Sequence, residues 1–445
     1  MAEDGLEFAE RIVGDAIAAG ASQAEATYTV TERFSAEARG DALTKLERSV
    51  GRSLALRVFR DGRKASLTSS DLSPDALRRF VREAVEAAAF VAADLHAGLP
   101  EPVAVPPLAH DLRTYADDVR ERSAEAKIAD ALALETGIRR ADARIANSRG
   151  SHVADGAAEI AIANSNGFRG TFRATTASLD TSPIAVSGDE KRVAQFGNAA
   201  HGYARLVPVD AIAREAAERA AGMCGARKPK TTKCAVIFER DVAALVLGDI
   251  FAALNAANVA IGNSFFAAKI GARVGSSLAR FVDDGRLVDG MGSSPFDSEG
   301  MPTQRTEVIR EGVLQTFLYD TYYARRLGAK STGNAAGGGS IGPSNFFLVP
   351  GQASLEDLIA STERGVLVLD TIGFATESVT GTYSRGARGF AIENGERAYP
   401  IDEFTIAGNI LEMLGGLDAV ANDMIFDSSI VSPSFRVAEM AIAGT

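Results

Sequence analysis

The chain has no tryptophan, two cysteines and four histidines in 445 residues. The cysteines, Cys224 and Cys234, are too few for a disulfide framework, which suits a reducing compartment. None of His96, His110, His152 and His201 has a second His or Cys at metal-binding spacing, so each reads as an isolated surface or loop residue. No apolar run approaches the ~18 residues that span a bilayer, and no membrane segment is expected. The opening MAEDGLEFAERI is acidic and lacks a positively charged leader, so the expected location is cytoplasmic. No run of Lys or Arg exceeds two residues, and the net charge is −11. A protein that grips DNA directly presents a basic face to phosphates, so direct nucleic-acid binding is not expected.

What is present is ordinary for a globular chain: 46% hydrophobic and 24% charged residues, over a length that supports two or three cores. Helical spacing of Leu6, Phe8, Ile12, Val13, Ala16 and Ile17 predicts a helix over about Ala2–Gly20. Short strands follow at Ala24–Val30, Ala42–Arg48 and Ser53–Arg60, the last ending in an Asp61-Gly62 hairpin turn. Ser73-Pro74 starts an Ala-rich helix to about Ala93, and the Pro-rich stretch 98–107 reads as a surface connector. A helix is predicted over Ser123–Arg140, then strands at Ile145–Asp155, Glu159–Asn164 and Thr171–Leu179, with a hairpin at Asn166-Gly167, and a helix at Val209–Cys224.

The basic, Pro-containing Arg227–Lys233 marks the sharpest change of composition. Beyond it come a strand at Ala235–Phe238 and a helix at Arg240–Ala257 that is apolar almost all round, which places it in a core or an interface, with core favoured. Helices near Leu314–Leu327 and Leu355–Glu363 lie among glycines, short strands and hairpins. The expected fold is α+β with two domains: residues 1–226, an α/β domain of mixed helices and strands, and residues 234–445, rich in antiparallel sheet. No fixed-period repeat occurs.

Two familiar motifs fail on context. Gly338-Gly339-Ser340-Ile341-Gly342 spells G-x-S-x-G, but Pro343 follows where a helix is needed and no histidine lies after Ser340. Gly337, Gly339 and Gly342 spell G-x-G-x-x-G, but Asn345–Val349 after them reads as a strand, so no dinucleotide site is expected. The loop reads as a backbone-packed turn, with a peptide-facing role open to it because glycine lets another backbone approach. Asp297 and Glu299, two apart in PFDSEG, would share one side of an extended segment and could hold a cation or an arginine; turn formation and ion pairing are the commoner uses. Arg385 after Ser384 could clamp a carboxylate or pair within the fold. Glu393-Asn394-Gly395 reads as a type I′ hairpin between Phe390–Ile392 and Arg397–Ile401.

Three ordered blocks carry a resemblance: PFDSEGMPTQRTEVIREGVLQTFL at Pro295–Leu318, KSTGNAAGG at Lys330–Gly338, and GTYSRGARGFAIENGERAYPIDEFTIAGNI at 381–410. The text resembles the TldD/PmbA family, historically called modulators of DNA gyrase. The resemblance implies a two-domain α/β fold and a heterodimer of a zinc peptidase subunit (TldD) with a partner lacking the zinc ligands (TldE, or PmbA), which degrades unfolded peptides or trims ribosomally made ones.

In the zinc subunit an HExxxH motif lies on the helix after the first strand of the C-terminal domain, completed by a cysteine near the C-terminus. The matching helix here, Ala244–Asn258, has Asp249 as its only ionisable side chain, and 422–445 has no cysteine. The resemblance therefore implies a TldE/PmbA-type partner with no catalytic or metal residue of its own, zinc residing in a TldD-like subunit. The family-motif or peptide-binding candidates are Asp297, Glu299, Ser331, Thr332, Asn334, Ser384, Arg385, Glu393 and Asn394. Asn334 stands where several relatives carry histidine, which removes a titratable group near neutral pH. The rival expectations are a peptidase with an unrecognised site, such as Asp297 and Glu299, and a homodimeric peptide-binding scaffold.

Overall fold

Long strands dominate the first half of the computed structural model, which describes residues 4–106, 108–373 and 376–445. Ala2, at the start of the first expected helix, and Pro107, at the end of the expected connector, lie outside the described residues. Strands β1 (Gln23–Arg39), β2 (Ala42–Arg60) and β3 (Arg63–Ser69) form an antiparallel meander. The other edge of β1 pairs with β4 (Ile145–Asn164), then β5 (Arg169–Ser187), which also carries β6 (Glu190–Val193) and β7 (Phe196–Ala200) in one seven-stranded sheet.

The sequence patterning broke 42–60 and 145–164 into short strands, whereas each is continuous. The reason is glycine inside a strand: a Cβ at Gly156 would come within 3.0 Å of Glu32 O, and one at Gly51 within 3.1 Å of Thr31 Oγ1. Gly156 permits close approach of the neighbouring backbone and Gly51 leaves room for the Thr31 hydroxyl, and neither makes a turn. The Asp61-Gly62 hairpin does form, with both residues at positive φ (51° and 73°), as a type I′ turn requires.

Helices cover one face of this sheet. α1 (Gly5–Ala18) and α2 (Pro74–Ala88) bury Phe8, Ile12, Leu77 and Phe80 on Leu54, Leu56 and Val58. α3 (Asp118–Glu121) is a single turn before α4 (Ala124–Ala141), which packs with α5 (Val209–Gly222) on Ala38, Val153 and Leu179. Ser123 caps α4 by accepting from Ala126 N–H at 3.2 Å. α2 ends earlier than expected because the chain turns back: Asp94 N–H donates to Gly62 O at 2.8 Å. The connector does lie on the surface over residues 101–104, but its start is fastened down, for Leu99 is 1% exposed and Arg325 donates to the carbonyls of Gly98 and Leu99.

The second half holds three further sheets. The largest contains β8 (Thr232–Phe238), with five later strands: β15 (Arg364–Ile372), β16 (Thr382–Glu393), β17 (Glu396–Asn409), β18 (Leu417–Val420) and β20 (Phe435–Ala443). Pairing of Thr405–Ala407 with Ala441–Ala443 closes it into a barrel, mostly antiparallel, with β8 and β15 parallel. A five-stranded sheet is made by β9 (Phe281–Asp284), β10 (Arg305–Arg310), β11 (Val313–Leu314), β14 (Phe346–Leu348) and β19 (Ile430–Val431). β12 (Ala335–Ala336) and β13 (Ser340–Ile341) form a small hairpin.

α6 (Arg240–Leu254) is a core helix, burying Val242, Val246, Leu247, Ile250 and Phe251, although Leu245 stays 47% exposed. It stops before Ala257 because Asn255 caps a new helix, α7 (Ala256–Ala260), accepting from Ala257 N–H. The helix expected from Leu314 starts only at α8 (Thr321–Leu327): Glu311-Gly312 turns the β10–β11 hairpin, and Asp320 caps by accepting from Tyr323 N–H at 2.7 Å. α9 (Leu355–Ala360) carries a Ser354–Asp357 capping box, and α10 (Ile410–Gly415) follows β17. The Asn394-Gly395 turn joins β16 to β17 with both residues at positive φ. Among the described residues no helix is long and apolar enough to cross a membrane.

Candidate functional site

The helix-free face of the first sheet meets the second half of the chain across a cleft of about 440 Å³. Alternation along β1 puts Glu25, Thr27 and Thr29 on this face, opposite Ala24 and Ala26 under the helices. Cross-strand register places Ile162 beside Thr27, Ile160 beside Thr29, and Phe172 on the far side of Ile160, giving a largely apolar floor. The roof is polar backbone and small residues: the loop 291–298, then Gly333–Gly337 and Gly342–Ser344. Two of the motif candidates, Asp297 and Asn334, line it.

Asp297 and Glu299 do not share a side. Residues 297–300 make a tight turn with Gly300 at φ 76°, not an extended segment, and the carboxylates diverge. Asp297 Oδ1 accepts from Glu299 and Met301 N–H (2.9 and 3.0 Å), and Oδ2 from Ala335 N–H at 3.0 Å. Glu299 Oε1 accepts from Arg57 at 2.8 Å and Oε2 from Thr321 N–H at 3.0 Å. Arg57 also donates to Glu25 at 2.7 Å, so one guanidinium fastens the sheet to the roof. All three side chains are at most 14% exposed.

The K-S-T-G-N block forms a closed network. Thr332 Oγ1 accepts from Tyr319 N–H (2.8 Å) and lies 2.6 Å from Asn334 Oδ1. Asn334 Nδ2 donates to Asp283 Oδ2 (2.7 Å) and Gly342 O (3.0 Å), while Ser331 Oγ accepts from Gly333 N–H at 3.2 Å. Asn334 thus has its donors committed inside the protein. Asp283, with Ser344 N–H on its other oxygen, and Asn345, which accepts from Gly292 N–H, complete the roof. Neither was singled out from sequence; the available signal was a polar residue bounding each of two apolar strands, FVDD and NFFL.

Ser384, Glu393 and Asn394 are not brought to the cleft. Ser384 is exposed on β16, and Asn394 N–H donates to Glu363 O, seating the hairpin beside α9. The glycines at 337–339 turn β12 into β13 and lead to a strand, not a helix. His201 departs from the expected surface or loop setting. It is 2% exposed, with ring nitrogens 2.7 Å from Thr175 O and 3.1 Å from Gly290 O, and braces the sheet against the roof.

A second cavity, about 510 Å³, lies over α6 and includes Leu245, Asp249, Arg385 and Asp427. Asp249 Oδ2 accepts from Arg385 at 2.8 Å and from Thr376 Oγ1 at 2.7 Å. The helical segment matching HExxxH therefore offers one carboxylate of its own, Asp249, already charge-paired by Arg385, and the cavity adds only Asp241 and Asp427. These residues do not fit a zinc ion, which requires three or four imidazole, thiolate or carboxylate donors. Among the described residues no group of three or more His, Cys, Asp or Glu is placed to hold a metal.

Burial raises the carboxyls around the cleft. Glu25, Asp283 and Asp297 are each pushed up to about 7, chiefly by desolvation, and Asp320 to about 6 for the same reason. Glu299 is held below its usual range: desolvation opposes ionisation, but the Arg57 charge and the Thr321 and Arg57 hydrogen bonds outweigh it. A group raised on folding contributes stability that is complete below its unfolded value and lost as pH rises through its folded value. For the shift of Glu25 from 4.5 to about 7 the loss is up to about 3 kcal/mol. Glu299 acts oppositely, losing stability as pH falls through its lowered value. The chain should therefore melt at lower temperature near pH 8 than near pH 5.5, as differential scanning calorimetry would record. A midpoint that rises across this interval would show that desolvation does not dominate.

Models of the PmbA/TldA metallopeptidase match the chain in three parts: domain 1 over residues 24–88, the central domain over 117–223 and the C-terminal domain over 231–444. The chain is 31% identical over 423 residues to the metalloprotease PmbA of Escherichia coli, spanning 95% of this chain and 92% of that protein. A PmbA homologue of Haemophilus influenzae is 31% identical over 430 residues, spanning 96% and 93%. In structure the chain is similar to a protein described as a modulator of DNA gyrase from Bacteroides thetaiotaomicron, with TM-score 0.93, 27% identity and 100% of both chains covered.

Proposed function

The chain belongs to the TldD/PmbA family of metallopeptidase-related proteins, and on that premise we propose that it is a TldE/PmbA-type subunit, non-catalytic alone. In this reading it pairs with a TldD-like, zinc-bearing subunit in the cytoplasm, and the complex cleaves unfolded or ribosomally made peptides. The observation that carries the proposal is the ion pair of Asp249 on α6 with Arg385 on β16, where an arginine charge sits on the one carboxylate of the helical segment that would carry HExxxH. The apolar floor and glycine-lined roof of the cleft against the first sheet suit an extended peptide, whose backbone needs close approach more than specific side-chain recognition. The rival site at Asp297 and Glu299 gains no support, because the two carboxylates point to different partners. The gyrase name belongs to the structural relative; with net charge −11, any such effect of this chain would be indirect.

The test combines zinc analysis with peptide hydrolysis. The untagged chain, purified without chelator, should carry almost no zinc and leave an unstructured peptide intact. Adding a zinc-bearing family subunit should produce cleavage that chelator abolishes. Hydrolysis by the isolated chain, or about one zinc per chain, would overturn the proposal.

A further inference from the structure

The β2 strand is covered along only part of its length. Its pairing with β3 begins at Leu54, leaving residues 42–53 bonded to β1 on one side and open on the other. Every residue from Ala42 to Arg52 is exposed, including Leu43 (37%), Leu46 (51%) and Val50 (63%). Among the described residues, no backbone group outside the strand ladders bonds to this stretch.

Hairpin geometry determines which groups face the open side. The two-residue turn at Asp61-Gly62 makes Arg60 and Arg63 a hydrogen-bonded pair, so Leu54, Leu56, Val58 and Arg60 direct their N–H and C=O toward β3. The same alternation sends the N–H and C=O of Leu46, Arg48, Val50 and Arg52 into the open edge. The other hairpin agrees: Arg39 pairs with Ala42, and one residue, Thr44, is bulged out between Leu43 and Lys45, which shifts the alternation by one. A row of unpaired donors and acceptors flanked by exposed leucine and valine is a template for another strand.

We propose that this edge is a self-association surface, in which β2 pairs antiparallel with β2 of a second copy about a twofold axis at Leu46. Charge chooses both occupant and register. Centred on Leu46, Lys45 of each copy lies opposite Glu47 of the other, Leu46 meets Leu46, and Val50 falls opposite Ala42. Centring on Glu47 opposes two glutamates, on Arg48 two arginines, and on Val50 the arginines at 48 and 52. Centring on Ser49 opposes no charges at all. Only the Leu46 register puts opposite charges face to face, at a non-hydrogen-bonded pair where side chains approach closest. Within one chain Lys45 and Glu47 already lie 3.0 Å apart, so dimerisation would bring four alternating charges together.

Sedimentation velocity on the untagged chain tests this with three variants. The parent should dimerise. Leu46→Pro should be monomeric while melting like the parent, because the N–H it removes bonds to nothing in the monomer. Glu47→Lys should weaken the dimer about tenfold or more, by setting Lys45 against a second lysine. Lys45→Glu combined with Glu47→Lys should restore it by exchanging the charges. A parent that stays monomeric to about 100 µM, or a dimer indifferent to Leu46→Pro, would overturn the edge as the surface. A dimer indifferent to Glu47→Lys would overturn the register, and with it the proposal.

Discussion

Replacing Arg57 with methionine is expected to lower stability by about 3–5 kcal/mol, the largest effect of any single side chain around the cleft. Arg57 reaches from β2 to Glu25 at 2.7 Å on the neighbouring strand and to Glu299 at 2.8 Å in the roof. Both carboxylates are 5% exposed, so removal of the guanidinium leaves two buried acids without their cation. Methionine fills similar volume, which keeps the change electrostatic rather than a cavity effect. The pH dependence gives a distinguishing signature. Without Arg57 both acids are protonated more readily, so the variant should lose less at mildly acidic than at mildly alkaline pH. Urea midpoints at the two pH values check this. A loss under about 1 kcal/mol at either pH would mean that the ion triad contributes no net stability.

Gly292→Ala should destabilise by about 3 kcal/mol or more, at the upper end of overpacking costs. A Cβ on Gly292 would lie 1.8 Å from Ser344 O and 2.7 Å from its carbonyl carbon, both backbone atoms. Ser344 cannot easily yield, because its N–H donates to Asp283 and the next residue, Asn345, accepts from Gly292 itself. The roof must therefore open or the strand leading to β14 must shift. Gly337→Ala is the control on the same cleft: its Cβ meets nothing within 4 Å, and a change of about 0.5 kcal/mol or less is expected. Equal urea midpoints for the two variants would refute the close approach.

The features that could be read locally were those whose physics is local. Asp61-Gly62 and Asn394-Gly395 set their hairpins because two successive residues must take positive φ, and few sequences tolerate that. Ser123 and the Ala-rich, periodic stretches marked helices by capping and spacing. Glycines inside strands misled, because Gly51 and Gly156 look like breaks until the neighbouring strand that needs their missing side chain is in place. Asp320 was overlooked as a cap because an apolar run upstream reads as helix, and only the β10–β11 hairpin withdraws those residues from it.

By itself the sequence determined the family, through three ordered motif blocks, and the shortage of zinc donors, because no histidine lies beyond His201 and none on α6. Both follow from residue identity and order, which folding does not alter. The tertiary structure alone decided how those residues are used. It separated Asp297 from Glu299, since a turn rather than an extended strand carries them. It buried His201 and closed Asn334 into a network with Asp283, and it joined Arg57 to a glutamate 242 positions away in the chain. Such pairings depend on strand register and on which face of a sheet meets which loop. A shift of one residue in β1 would carry Glu25 from the cleft to the helix-covered face, and no local pattern fixes that choice.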